Sequence, residues 1–174
     1  MTRPGLLVIA AAVGLLVACD DNANPASPIG SSVTVSALLS PANEVPPVAN
    51  AESVAQGAAQ VTFLVSRDSS GAVTGGTATM YFQLTNLPAG TVIRGAHIHS
   101  GSAAVNGPIV VDTGITPSNL VTLGDGREEF TFPGVSVSAA TMAAILANPS
   151  AFYFNVHTAT NPGGVARGQL RFVG

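Results

Sequence analysis

The stretch Ala151-Phe-Tyr-Phe-Asn-Val-His-Thr158 decides the fold. Phe152, Phe154 and Val156 alternate with Tyr153, Asn155 and His157. A period of two marks a strand, whose side chains point in turn to opposite faces. The same arithmetic holds upstream in Thr91–His99, where Val92, Ala96 and Ile98 share one face and Gly95, His97 and His99 the other. Downstream, in 166–173, Leu170 and Phe172 oppose Arg167, Gln169 and Arg171. If the apolar stripes mark the core, all three histidines of the chain and Arg167 point away from it.

Working outward, 33–39, 58–66, 77–86, 108–112 and 127–132 are rich in β-branched and aromatic residues, with Gly, Pro, Asn and Asp clusters between them. One helix is predicted over Ala139–Ala147, capped by Ser138 and ended by Asn148-Pro149. About eight strands in roughly 140 residues predict an all-β fold, an antiparallel β-sandwich or flattened barrel with one short helix.

Composition narrows the chemistry. Of 174 residues, 47% are apolar and 9% charged, against about 25% charged in a typical soluble domain. Six basic residues, all arginine, face nine acidic ones, a formal charge of −3. That balance supplies no basic stripe, so a nucleic-acid partner is excluded. Without lysine there is neither Schiff-base chemistry nor a Walker motif, and one cysteine makes no disulfide scaffold. No G-x-S-x-G or H-E-x-x-H occurs, so hydrolase and metalloprotease readings have no motif. Any polar chemistry rests on few side chains.

At the start of the chain, Arg3 precedes an apolar run from Gly5 to Ala18. A membrane span needs about 20 apolar residues, so this shorter run reads as the core of a signal peptide. It ends in Leu16-Val17-Ala18-Cys19, which resembles the bacterial lipoprotein signal box, in which the cysteine is lipidated and becomes the first mature residue. The expected division is a signal peptide at 1–18, a flexible tether at 19–32 carrying lipidated Cys19, and one domain at 33–174. An exported protein held to the membrane through Cys19 is implied, periplasmic or at the cell surface. Asp20 and Asp21 resemble an inner-membrane retention signal of enteric bacteria.

Within the domain, Glu44-Val-Pro-Pro-Val48, Gly95-Ala-His-Ile-His-Ser-Gly101, Asn106-Gly-Pro-Ile-Val110, Asn155-Val-His-Thr158 and the segment Asn161–Leu170 together resemble the CHRD domain. That family is named after chordin, a secreted growth-factor antagonist, and is common in bacterial exported proteins. The resemblance covers about residues 33–173. It implies a Greek-key, immunoglobulin-like barrel similar to copper–zinc superoxide dismutase, and no settled activity. His97-Ile98-His99 resembles the dismutase strand that supplies two copper ligands, and His157 resembles its C-terminal copper histidine. Gly163-Gly164 and Arg167 resemble its glycine-rich turn and its anion-guiding arginine. The departures are large: the chain has no fourth histidine to complete a zinc set and no disulfide.

The residues leave two readings of the histidines open. Three neutral imidazoles suit copper or zinc, with Asn155, Thr158, Asp112 or backbone carbonyls as acceptors for the second ring N–H. Alternatively each histidine pins a loop through backbone hydrogen bonds. Arg167 either guides anions or bridges carbonyls of the Gly163-Gly164 turn; Glu44 is either a binding carboxylate or an acceptor for backbone N–H groups. Asn106-Gly107-Pro108 reads as a turn and Glu128-Glu129 as a solvated strand start. The expected function is a non-catalytic binding module of the bacterial envelope with an envelope or extracellular protein partner. A copper-only dismutase-like redox enzyme and an adhesion or matrix module are the alternatives.

Overall fold

The computed structural model describes residues 30–173; the expected leader, Cys19 and most of the tether fall outside them. The strands are β1 (Ser31–Leu39), β2 (Gln56–Arg67), β3 (Val73–Thr85), β4 (Val92–Ser100), β5 (Ile109–Asp112), β6 (Val121–Thr122), β7 (Glu128–Val137), β8 (Phe152–Thr158), β9 (Ala166–Gln169) and β10 (Arg171–Phe172). One helix, α1 (Ala139–Ala147), begins where the Ser138 side chain accepts the Thr141 N–H. The strands form two antiparallel sheets, β10-β1-β2-β3-β7 and β5-β4-β8-β9, with β6 paired to the first residues of β4. The architecture is an all-β sandwich, not a closed barrel. Its sheets meet along one seam, where Ser40 and Arg167 exchange backbone hydrogen bonds and the chain crosses from β9 to β10.

The predicted stripes form the core except at Val92 and Phe172; the break between β9 and β10 carries Phe172 into the other sheet and leaves it 49% exposed. Phe154, Val156, Ile98 and Ala96 from one sheet bury against Val35, Val61, Phe63, Met80 and Phe82 from the other. Phe82 packs on Phe130 at 4.6 Å and reaches across to Phe154 at 5.6 Å between ring centroids. Each fully buried Val, Ile, Met or Phe among them contributes about 1.5–3 kcal/mol. Met142 and Ile145 of α1 are also buried in this core.

Two local departures have clear causes. Val92 was expected on the face of Ala96 and Ile98, yet Ile93 is the buried residue and Val92 is only half-buried. The register runs from Ile93 opposite Thr158 to Gly95 opposite His157, so Arg94 is an extra residue in β4. A bulge of this kind moves every residue before it to the other face. Similarly, β7 runs on through Pro133, which the sequence pattern ended at 132. It is an edge strand, and Pro133 and Gly134 together oppose Thr79 in a bulge, where proline's missing N–H removes no ladder bond.

A third departure concerns the whole outer face of β4, β8 and β9. The sequence placed Tyr153, Asn155 and Arg167 away from the core, and so they are, but they do not meet solvent: all three are buried. The segment 40–54 is bonded to β9 through Asn43 and to the end of β8 through Glu52, and this face is bonded to the loop 101–107 through Ser102, Ala103, Asn106 and Gly107 and to the turn 159–165 through Pro162. The second face is a polar layer under loops.

Candidate metal centre

Antiparallel register brings the three histidines together from two strands. His97 and His99 alternate along β4, and His157 on β8 stands opposite Gly95, two register positions along from His97. The ring centroids lie 4.9 Å apart for His97 and His157, and 5.6 Å apart for both other pairs. One ring nitrogen from each residue lies within 4.8 Å of the others. Ligand bonds of about 2.0–2.1 Å put nitrogens roughly 3.3–3.5 Å apart, so closing on a metal needs movements of about 1 Å.

The opposite edge of each ring is held. His99 Nδ1–H donates to the Gly107 carbonyl at 2.9 Å, and His157 Nδ1–H to the Pro162 carbonyl at 3.0 Å. His97 Nε2 faces the Asp112 carboxylate at 3.4 Å. A carbonyl only accepts, so these partners fix the tautomers and leave lone pairs on His97 Nδ1, His99 Nε2 and His157 Nε2. Those same three nitrogens are buried and have no hydrogen-bond partner among the described residues. Two of the three histidines, His99 and His157, bond backbone carbonyls as one reading expected, and the arrangement still leaves one ring nitrogen of each histidine within reach of the others. Holding the second ring nitrogen in this way is what orients metal-binding histidines.

Burial also keeps the rings neutral, the form a metal requires. It lowers the pKa of all three below the ordinary histidine value, that of His157 to about 4, and the neighbouring imidazoles lower His97 and His157 further. The bonds to Gly107 and Pro162 and the charge of Asp112 act the other way without overcoming burial. His99 is buried, while His97 and His157 remain partly open and Asp112 is 54% exposed, which leaves one approach from solvent.

Arg167 is placed otherwise than a guide for anions would be. It is 1% exposed. Its Nη1 donates to Asn106 Oδ1 at 2.9 Å, and its Nη2 to the carbonyls of Ala103 at 2.7 Å and Ser102 at 3.3 Å. Nor does it bridge the Gly163-Gly164 turn; its role is to hold the 101–107 loop. The guanidinium lies 4.1 Å over the Tyr153 ring, which stacks on His99 at 4.9 Å with planes 10° apart. Arg167, Tyr153 and His99 are therefore linked by successive ring contacts.

Glu44 is 5% exposed, and its Oε1 has no hydrogen-bond partner among the described residues, so no backbone N–H holds that oxygen as one reading expected. Burial pushes its pKa up to about 7, against the partial pull of Arg167 and of the Asn155 amide. Gly164, at φ 136°, is required beside it: a Cβ there would lie 2.7 Å from both Glu44 oxygens and 2.5 Å from Asn155 Nδ2. Glu52, unremarked in the sequence, accepts from Thr158 Oγ1 at 2.6 Å and from the Asn161 amide, which fixes the end of β8 beside His157. Tyr153 was visible only as a member of the polar stripe. Gly95 and Asp112 lie beside the cluster through strand register, which no local pattern encodes.

The chain matches the CHRD domain family over residues 35–170, a span that contains the three histidines, Glu44, Asp112 and Arg167. No curated protein and no solved structure matches it.

Proposed function

Because the chain belongs to the CHRD domain family, we propose that it is an exported, non-catalytic binding module whose site is a three-histidine centre for copper, with zinc the alternative. The observation that carries this reading is the set of buried nitrogens on His97, His99 and His157 that lack a partner among the described residues, with the other ring nitrogen bonded to a backbone carbonyl in His99 and His157 and facing Asp112 in His97. Three neutral imidazoles and no thiolate or carboxylate in the set suit either metal. Bound copper would supply a one-electron centre, bound zinc a Lewis acid. The protein's own part is to keep the rings deprotonated, oriented and screened by the loops. The lipobox-like Leu16–Cys19 supports anchoring to the bacterial envelope through acylated Cys19.

The test is titration of the purified full-length protein with Cu(II) and with Zn(II). One metal per chain is expected, lost when His97→Ala is combined with His157→Ala; no stoichiometric uptake of either ion rejects the reading. Metabolic labelling with a radioactive fatty acid checks the anchor: incorporation should vanish in Cys19→Ser. The solvent approach at His97 and His157 favours a second reading, a copper-only dismutase-like enzyme. Superoxide decay no faster with the copper-loaded protein than with equal free copper ends it.

A further inference from the structure

Resting on that metal reading, we propose that Gly95 is a positioning residue of the centre, whose bare Cα lets His97 enter the ligand set through Nδ1 while His99 and His157 enter through Nε2. Two observations meet at this glycine. Along the strand, the His97 ring lies over it: a Cβ at position 95 would stand 2.7 Å from His97 Cε1, 3.1 Å from Nε2 and 3.6 Å from Nδ1. Across the strands, its register partner is His157. Directly opposed residues of an antiparallel pair bring their Cβ atoms to about 4.5–5.5 Å, so any side chain at 95 would fill the space between the two rings. With glycine there, His97 leans back along β4 to within 4.9 Å of the His157 ring.

The lean explains why two histidines on one strand use different nitrogens. At positions i and i+2 their Cα atoms are roughly 7 Å apart, so rings standing parallel would hold their nitrogens about that far from each other. Instead the His97 and His99 planes cross at 73°. In this pose His97 turns Nε2 outward to Asp112 and Nδ1 inward. The Arg94 bulge sets the register that puts Gly95 opposite His157 in the first place.

Backbone conformation gives no separate reason for glycine, since Gly95 is not among the residues with positive φ. The three nearest atoms a Cβ would meet all belong to the movable His97 ring. Gly95→Ala is therefore expected to fold and to misplace one ligand. Zinc titration of the full-length protein in detergent micelles should show affinity for Gly95→Ala reduced about 10–100-fold, the usual effect of disturbing a ligand's support. Circular dichroism and the metal-free melting temperature should stay as in wild type, and Arg94→Ala, at the exposed neighbour, should bind zinc normally. Long-range proton–nitrogen NMR of the wild type provides a test that needs no variant. It should find His97 protonated at Nε2 without metal and ligating zinc through Nδ1, with the reverse assignment for His99 and His157. Ligation of His97 through Nε2, or wild-type zinc affinity in Gly95→Ala, overturns the proposal. Wild-type protein that takes up neither zinc nor copper rejects the metal reading itself.

Discussion

Burial acts on Glu44 and His157 with opposite sign. The unfolded chain protonates His157 near pH 6.5, while the folded chain resists down to about 4, so its contribution to stability is lost as pH falls through that window. Glu44 does the reverse. Folded, it keeps its proton up to about 7, where the unfolded chain releases it near 4.5, so stability is lost as pH rises between those values. Each displacement amounts to about 2 kcal/mol once solvent screening is allowed for. Across the shared window, about pH 4.5–6.5, the two offset each other. Removing Glu44's titration should expose the histidines: in Glu44→Gln, metal-free stability is expected to fall by about 2 kcal/mol more than in wild type from pH 7 to pH 5. Urea denaturation at both pH values measures it, and parallel behaviour of the two proteins would refute the assignment. Arg167 offers a second check at this scale. Its planar fork serves three acceptors and stacks on Tyr153, so Arg167→Lys, though it keeps the charge, should destabilise the fold by roughly 2–3 kcal/mol.

Elements with a strong local signal were legible. The alternation in β8 predicted Phe152, Phe154 and Val156 as core, and Ser138 predicted the start of α1; both stand as read. Ser138→Ala should cost about 1 kcal/mol in thermal unfolding and leave metal affinity untouched, because α1 packs on β3 at a distance from β4 and β8 in the topology. What failed was parity carried across a bulge. Val92 and Ile93 exchanged faces because Arg94 is an extra residue, and a single extra residue leaves no compositional trace when its neighbours on both sides are apolar or small. The two-residue β6 was likewise invisible, being too short to show a period. The histidines themselves were legible as a set, since all three shared one parity. Of their supports, Asp112 stood among the acceptors the sequence offered, but Gly107 and Pro162 did not, because they reach the rings through loop closure, which depends on the whole fold.

The whole molecule has two unlike interiors, an apolar one between the sheets and a polar one beneath the loops of the second sheet. Scarcity of charge in the sequence pointed to few polar sites, but a strand pattern only separates the two faces and cannot say that loops cover one of them. Because the polar interior is built from both sheet and loops, a metal bound there should stabilise the entire domain. At a free zinc concentration of 100 times the dissociation constant, unfolding should become harder by about 2.7 kcal/mol. The gain should disappear in His157→Ala, and an unchanged melting temperature in wild type would count against ligation in the folded state. The same layering has an optical consequence. The chain has no tryptophan and two tyrosines. Tyr153 lies against the His99 ring, whereas Tyr81 is on the outer face of the opposite sheet, beyond a spacing of about 10 Å. Paramagnetic Cu(II) at the histidines would therefore darken one tyrosine far more than the other, so the protein's ultraviolet emission reports its own occupancy, with Tyr81 as an internal reference lamp.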